Sequence, residues 1–198
     1  MSLAKLWIAD LGERVGEIVT VHGWVVTTRS SGKIAFVVLR DGTGLVQGVV
    51  AKPEVSAETW ERFGTLTLET SVALTGTVRA DARSPGGVEL TVAGVEVLGP
   101  SVEYPITPKE HGTTFLFENR HLWLRSRRQW AIARVRAEVV RSIRDFFDGR
   151  GFTLVDTPIL TGAIGEQAGE LFATDYFDLG KAYLAQTGQL YVEAAAAA

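Results

Sequence analysis

Five short segments rich in β-branched and aromatic residues occupy the first half of the chain, and turn residues separate them. The segments are Val19–Thr28, Lys33–Arg40, Leu45–Ala51, Ser71–Ala80 and Val88–Val97. Glycine and proline, which favour turns, interrupt the pattern at Gly42-Thr43-Gly44 and again at Pro85-Gly86-Gly87. Runs of this length and composition, bounded in this way, are typical of β-strands. This half of the chain is therefore predicted to form a small β-sheet domain.

A short helix is expected between the third and fourth strands, over Ser56–Phe63. Ser56 would cap its first turn, which also contains Glu58. Five strands with one helical piece after the third are typical of an OB-fold barrel, whose outer face binds oligonucleotides. Residues 1–99 are accordingly predicted to be an OB-fold β-barrel.

The pattern changes after residue 99. Pro100, Pro105 and Pro108 disfavour regular structure, so residues 100–119 are predicted to be a linker. Apolar residues then recur at steps of three and four, which predicts a helix of about 20 residues. Glycine just past its last turn, in Asp148-Gly149-Arg150-Gly151, ends it. The apolar positions are Ile132, Val135, Val139, Ile143, Phe146 and Phe147.

Short strands are predicted to follow this helix. The candidates are Phe152–Val155 and a pair, Tyr176–Phe177 and Tyr183–Leu184, around a turn at Asp178–Lys181, with a further element beginning at Gln189–Val192. These strands have too little chain around them to complete a core. We therefore expect residues 120–198 to be the incomplete start of an antiparallel α/β domain, which makes the predicted fold class α+β.

Composition narrows the possible functions. The chain has no cysteine, which excludes disulfides and cysteine metal sites, and no apolar stretch approaches the roughly 18 residues of a membrane span. No signal peptide is recognisable, and a cytoplasmic location is expected. Residues 120–150 contain nine arginines against three acidic residues, although the chain as a whole carries a charge of −3. Such a basic segment suits a localised contact with an anion, or a solvated helix face.

Three stretches together resemble the class II aminoacyl-tRNA synthetases of the aspartyl, asparaginyl and lysyl subgroup. The first runs from His22-Gly23-Trp24-Val25 to Gln47 and is similar to the subgroup's anticodon-binding domain. The second combines Arg120-His121-Leu122-Trp123, the long helix and Gly151–Leu160, and resembles motif 1. The third, Gln186-Thr187-Gly188-Gln189-Leu190-Tyr191, is similar to an element that lines the amino-acid pocket. The stretches occur in the family's order and cover nearly the whole chain.

The resemblance implies roles for residues of the barrel. Phe36 would stack on the central uridine of the anticodon, and Gln47 would hydrogen-bond a base. Arg29 would contact the same region, and Glu89 would read a further base. Splayed-out bases stacked on an aromatic ring and bonded at their edges are the usual mode of single-stranded RNA recognition. An anticodon loop of tRNA is thus the expected partner.

In the second domain, the resemblance implies a dimer interface and an amino-acid pocket. Pro158, at the end of motif 1, would lie at a homodimer interface and support the active site of the partner subunit. Glu166 and Gln189 would bind the α-ammonium group of the amino acid. Gln167 follows Glu166 where related sequences tend to have glycine.

Two later family motifs, which hold ATP through arginines, do not occur in this sequence. We therefore assign no catalytic residue to the chain, and its three histidines, His22, His111 and His121, offer no metal-binding spacing. ATP and Mg²⁺ are the cofactors implied for a complete enzyme, and the chain alone is expected to be inactive.

The leading hypothesis is ATP-dependent attachment of asparagine to tRNA. Gly188 favours asparagine, because aspartyl enzymes usually have proline there, and Val192 stands where those enzymes have a lysine to pair with the substrate carboxylate. An aspartyl enzyme, including one that accepts both tRNAs, is the first alternative. A non-catalytic OB-fold RNA-binding protein is the second.

Overall fold

The computed structural model describes residues 6–162 and 171–198 and divides the chain into two compact units. The first unit is Met1–Gly112 and the second is Thr113–Ala198. The first contains the β-barrel, and the second combines helices with a small sheet. The predicted α+β class is confirmed.

Five strands form a closed barrel in the order β1-β2-β3-β5-β4. Their bounds are β1 (Ile18–Ser31), β2 (Ile34–Arg40), β3 (Leu45–Ala51), β4 (Ser71–Ala80) and β5 (Val88–Gly99). Neighbouring strands are antiparallel except β3 and β5, which pair in parallel and close the ring. The five predicted strands are thus confirmed, with β1 and β5 each longer than expected.

Alternate residues of each strand point into the barrel, as the period of two in a β-strand requires. Val37 and Leu39 of β2, Val46 of β3 and Leu90 of β5 are fully buried. Gly48 of β3 also faces inward, where a Cβ atom would lie only 2.8 Å from Val92. The residues between the buried ones are partly exposed, so they form the outer face of the sheet.

One end of the barrel is covered by a short 3-10 helix, Ile8–Arg14. Ile8 and Leu11 are buried in the same apolar cluster as the strands. Asp41 holds this helix in place, because its Oδ2 atom accepts a hydrogen bond of 2.7 Å from the Ile8 N–H while its Oδ1 accepts one of 2.8 Å from the Thr43 N–H. The turn between β2 and β3 is therefore tied to the start of the chain.

Helix α1 (Ala57–Gly64) lies between β3 and β4 in the sequence, as predicted. Ser56 is its N-cap, and the Ser56 hydroxyl accepts a hydrogen bond from the Thr59 N–H. Phe63 at its other end is buried in the barrel's apolar cluster. This burial fixes the helix to the barrel.

Arg40 and Glu69 form a two-bond ion pair beside the start of β4. Two guanidinium nitrogens of Arg40 donate to the two carboxylate oxygens of Glu69 at 3.0 and 2.8 Å. The Glu69 side chain is only 7% exposed, and its backbone adopts a left-handed conformation with φ of 64°. Few residues other than glycine adopt that conformation, so the ion pair helps to offset a local strain.

The second unit consists of helices followed by a small three-stranded sheet. Its helices are α2 (Thr113–Glu118), α3 (Arg120–Trp123), α4 (Arg127–Asp148) and α5 (Gln189–Ala196). Its strands are β6 (Leu160–Thr161), β7 (Ala173–Asp175) and β8 (Lys181–Leu184), in the order β6-β8-β7. Helix α2 lies inside the range predicted as linker. The long predicted helix is confirmed as α4, capped by Ser126 and ended by Gly149.

Helix α4 exposes the apolar stripe that its sequence period predicts. The stripe consists of Ile132, Val135, Val139, Ile143, Phe146 and Phe147, each about half exposed. An amphipathic helix normally buries such a stripe against a partner.

The prediction of a strand at Phe152–Val155 is wrong, because these residues have no regular secondary structure. A strand requires a neighbour for its backbone N–H and C=O groups, and no described residue pairs with this segment. The strand prediction at Tyr176–Phe177 is also wrong. The first strand of that hairpin is β7, three residues earlier, and Phe177–Leu179 form a 3-10 helix in the turn. Strand β8 confirms the second half of the hairpin.

Candidate functional site

The four barrel residues singled out from the sequence lie together on the outer face of three neighbouring strand pairs. Arg29 of β1 is directly opposite Phe36 of β2, and Gln47 of β3 is directly opposite Glu89 of β5. Residues opposite each other on one face of a sheet have Cβ atoms about 5 Å apart. The fold therefore brings these side chains, from four different strands, to a single patch.

The guanidinium group of Arg29 covers the ring of Phe36. Its central carbon lies 4.3 Å from the ring centroid, within the range of a cation–π contact. The Phe36 ring is only partly buried, while Val37 beside it in the sequence faces the core. Phe36 thus presents its ring on the surface instead of filling the barrel.

Gln47 lies between a cation and an anion. Its Oε1 atom accepts a hydrogen bond of 3.5 Å from Arg29 Nη2, and its Nε2 atom donates one of 3.5 Å to Glu89 Oε2. These are long bonds, but the charges on both sides favour the same orientation of the amide. The patch thus has a ring for stacking and, beside it, a row of polar groups with a defined order.

The loop between β4 and β5 borders this patch. Arg79 is directly opposite Glu89 in the register of these two strands. Arg83 pairs with Asp81, and the hydrogen bond from the Arg83 backbone N–H, followed by the one from its side chain, lowers the pKa of the Asp81 carboxyl. Arg79 of β4 and Arg83 of the loop thus both lie in the neighbourhood of Glu89.

A cavity of about 340 Å³ lies in the second unit, between the end of motif 1, the strands β6 and β8, and the start of α5. Residues from all of these elements line it, among them Thr157, Pro158, Thr161, Gln186 and Tyr191. Of the predicted residues, Pro158 is part of this lining. Thr157 and Tyr191 were not singled out from the sequence, although both lie within the motifs that carry the family resemblance.

The predicted amino-acid ligands are not brought together by the described residues. Gln189 is the first residue of α5, and its Nε2 atom donates to Glu193 Oε1 at 2.9 Å along the same helix. Gln189 does not belong to the described lining of the cavity. Glu166 lies outside the described residues.

Gly188 approaches Thr157 so closely that no side chain fits between them. A Cβ atom at position 188 would lie 2.5 Å from Thr157 Oγ1 and 2.6 Å from its Cγ2. A Cβ atom in a folded protein does not approach another heavy atom that closely without displacing it. The sequence requirement for glycine here is therefore steric, because the φ of −86° is accessible to any residue.

Metal-binding clusters and membrane-spanning helices are both absent from the part of the chain that the structure describes. In residues 6–162 and 171–198, no group of three histidine, aspartate or glutamate side chains is placed to hold a metal ion. Among the helices of the same residues, none is long and apolar enough to cross a membrane.

Comparison with protein families gives a match for each unit. Residues 19–98 match the OB-fold nucleic acid binding domain of the tRNA anticodon family. Residues 112–198 match the family of class II tRNA synthetases (D, K and N). The first match covers all five barrel strands except the terminal residues of β1 and β5, and the second covers the whole of the second unit.

Similar curated proteins are asparagine–tRNA ligases. The protein of Chloroflexus aurantiacus is 55% identical over 187 residues, which are 94% of this chain and 42% of the relative. That of Koribacter versatilis is 52% identical over 194 residues, which are 96% of this chain and 44% of the relative. The chain thus spans less than half the length of the curated relatives it matches.

Similar solved structures include asparaginyl-tRNA synthetases. The structure from Pyrococcus horikoshii complexed with asparaginyl-adenylate is 38% identical, with a TM-score of 0.88 over 98% of this chain and 45% of that one. The structure from Entamoeba histolytica in complex with the same adenylate is 29% identical, with a TM-score of 0.75 over 92% of this chain and 42% of that one. A putative aspartyl-tRNA synthetase from Leishmania major has a TM-score of 0.79 at 27% identity, over 96% of this chain and 41% of that one.

Proposed function

Because the chain belongs to the asparaginyl-tRNA synthetase family of class II, we propose that it serves an ATP-dependent ligase that attaches asparagine to tRNA. In this proposal the barrel binds the anticodon, and the second unit contributes part of the amino-acid pocket. ATP, Mg²⁺ and the catalytic groups belong to the complete enzyme, since the sequence contains neither of the family's ATP-binding arginine motifs. The proposal includes a cytoplasmic location for this enzyme.

The row of polar groups beside Phe36 carries the proposal for the anticodon. From Arg29 to Gln47, the groups are an N–H donor, the Oε1 acceptor and the Nε2–H donor. The pairing edge of uracil has the complementary order of acceptor, donor and acceptor. One lone pair of Oε1 and one hydrogen of Nε2 remain for a base after the contacts with Arg29 and Glu89. A central uridine matches all three positions, whereas cytosine matches only the first.

Phe36 supplies the stacking surface for the same base. A base that stacks there takes the place of the Arg29 guanidinium, which then moves to the edge of the base as a donor. The exchange replaces a cation–π contact of about 0.5–1 kcal/mol at an exposed site with a stack of about 1–3 kcal/mol. Glu89, beside Gln47, together with Arg79 of β4 and Arg83 of the β4–β5 loop, would border the neighbouring nucleotides.

The decisive experiment is a titration of the whole chain with four anticodon stem-loops that differ only at the central base. Tightest binding to the uridine stem-loop supports the proposal, and equal affinity for all four contradicts it. Affinity should also decrease with salt, because phosphate contacts release counterions.

The cavity in the second unit is proposed to hold the amino-acid side chain. Its described lining includes no lysine or arginine, so this part of the wall suits a neutral amide better than a carboxylate. Glu166 and Gln189 are proposed, by resemblance, to bind the ammonium group. Gln189 would have to exchange its bond with Glu193 for one with the substrate.

The apolar stripe of α4 is proposed to pack against a second copy of the chain, with Pro158 at the same interface. Its half-exposed side chains would be costly to leave in water, and burying each recovers on the order of 1 kcal/mol. The segment Phe152–Val155, which pairs with no described strand, would then pair with a segment of the second copy.

A second candidate function is a non-catalytic RNA-binding protein built from the same two units. The barrel is closed by its own five strands, and RNA recognition by the barrel needs no catalytic domain. Both points favour this second candidate. Asparagine-dependent pyrophosphate exchange by the complete protein distinguishes the two, because only a ligase catalyses it.

A further inference from the structure

We infer that Glu89 acts through Gln47: its carboxylate fixes the orientation of the Gln47 amide and thereby makes the barrel select uridine over cytidine at the central anticodon position. The inference rests on the proposed anticodon function. It gives Glu89 a positioning role in place of the direct base contact that the family resemblance implies.

The contacts of Gln47 show how the orientation is determined. Arg29 Nη2 donates to Gln47 Oε1, and Gln47 Nε2 donates to Glu89 Oε2, both at 3.5 Å. If the amide turned by 180°, its Nε2 would face the guanidinium and its Oε1 would face the carboxylate. Both contacts would then be repulsive. A glutamine on an open surface, in contrast, has two amide orientations of similar energy.

The fold holds Glu89 in place for this role. Gln47 and Glu89 are directly paired across the parallel β3–β5 junction that closes the barrel. Their neighbours Val46 and Leu90 are fully buried in the core, so the two backbones cannot shift independently. The barrel thus fixes the backbone positions from which the amide and the carboxylate meet.

Turning the amide would change which base is read. In the observed orientation the order from Arg29 is donor, acceptor and donor, which complements uracil. In the turned orientation it is donor, donor and acceptor. That order complements the acceptor, acceptor and donor of cytosine. The orientation of one amide therefore separates a uridine reader from a cytidine reader, and Glu89 favours the uridine orientation together with Arg29.

The test compares binding of the whole chain to stem-loops with a central uridine or a central cytidine. Glu89→Gln keeps the size of the side chain but removes the charge that selects the amide orientation. We expect the ratio of affinities, uridine over cytidine, to decrease by about tenfold, in the range of one lost base-edge contact. Glu96→Gln is the matched control. It removes the same charge from an exposed position on the same strand, so it alters general affinity for RNA but not the ratio.

A second measurement separates positioning from direct contact. In a Gln47→Ala background, Glu89→Gln should leave the ratio unchanged, since no amide remains to be oriented. An unchanged ratio in the single variant Glu89→Gln overturns the inference while the proposed function stands. An equal decrease with and without Gln47 also overturns it, because Glu89 then reads a base directly. If the unaltered chain shows no preference for uridine, the proposed function itself fails.

Discussion

The side chain of Thr157 occupies the space that a Cβ atom at Gly188 would need. The two residues are far apart in the sequence, yet such an atom would lie only 2.5 Å from Thr157 Oγ1, which leaves no room for even a methyl group. We expect Gly188→Ala to destabilise the second unit by about 1–3 kcal/mol, the usual cost of overpacking. Amide hydrogen exchange in α5 should accelerate accordingly.

The double variant Thr157→Ala/Gly188→Ala provides the check on this explanation. Removal of Oγ1 and Cγ2 leaves only the Thr157 Cβ, at 3.0 Å, so exchange in α5 should return most of the way to that of the unaltered chain. Gly162→Ala, where no atom of the described residues lies within 4 Å of the added carbon, should have little effect. If the double variant were no better than the single one, the steric account would be wrong.

Phe36→Ala should weaken binding of a uridine stem-loop by roughly 1–3 kcal/mol, the contribution of one base–aromatic stack. Phe36→Tyr keeps the ring and should bind nearly as well as the unaltered chain. Leu98→Ala removes an exposed apolar side chain near the end of β5 and is the control. Filter binding or fluorescence anisotropy gives the affinities, and equal values for Phe36→Ala and the unaltered chain would remove Phe36 from the site.

Glu69→Gln should lower the free energy of unfolding of the barrel by about 1–3 kcal/mol. The substitution leaves the guanidinium of Arg40, 21% exposed, without its carboxylate partner. Glu58→Gln breaks the ion pair with Arg62, in which Glu58 is 80% exposed, and should cost only a few tenths of a kcal/mol. Urea denaturation measures both, and similar values for the two variants would contradict the difference in burial.

Val139→Asp should weaken self-association, because it places a charge in the middle of the apolar stripe of α4. Arg144→Gln changes the net charge by the same amount on another face of the helix and should leave association unchanged. Sedimentation equilibrium of the complete protein at micromolar concentration is the measurement. A strictly monomeric complete protein would contradict the proposed two-fold dimer.

Amino-acid choice is tested with the complete enzyme. Asparagine should support ATP–pyrophosphate exchange at least roughly a hundredfold better than aspartate, since an unpaired buried carboxylate costs several kcal/mol. By the family resemblance, Val192 stands where aspartyl enzymes have a lysine, and the described lining of the cavity includes no lysine or arginine. The 198-residue chain by itself should show no exchange with either amino acid. Comparable rates with both amino acids would exclude the asparagine assignment but not the family.

The strands of the barrel could be predicted because the sequence features that specify them involve residues close together in the chain. Strand alternation, turn residues and the Ser56 cap each act within a few positions, and β3 and β4 were predicted to the residue. Phe152–Val155 shows the limit of this approach. Its residues favour a strand, but a strand also needs a partner, and no described residue pairs with this segment.

The side-chain contacts within the two sites could not be predicted from patterns of neighbouring residues. Gln47 and Glu89 meet because two strands 42 residues apart pair in parallel at the barrel junction. The family resemblance placed both residues in one site without indicating that they bind each other. Gln189 illustrates the opposite outcome, since its position in a matched motif did not reveal that its amide donates to Glu193.

The attachment of the N-terminal 3-10 helix to Asp41 has a consequence for biosynthesis. Residues 8–14 leave the ribosome before any strand of the barrel, yet Ile8 and Leu11 pack against strands made much later. The Ile8 N–H likewise cannot form its hydrogen bond until Asp41, 33 residues downstream, has been synthesised. This helix is therefore synthesised before the strands but docks only after they have formed, and a ribosome-bound chain that ends before β5 exposes it to solvent.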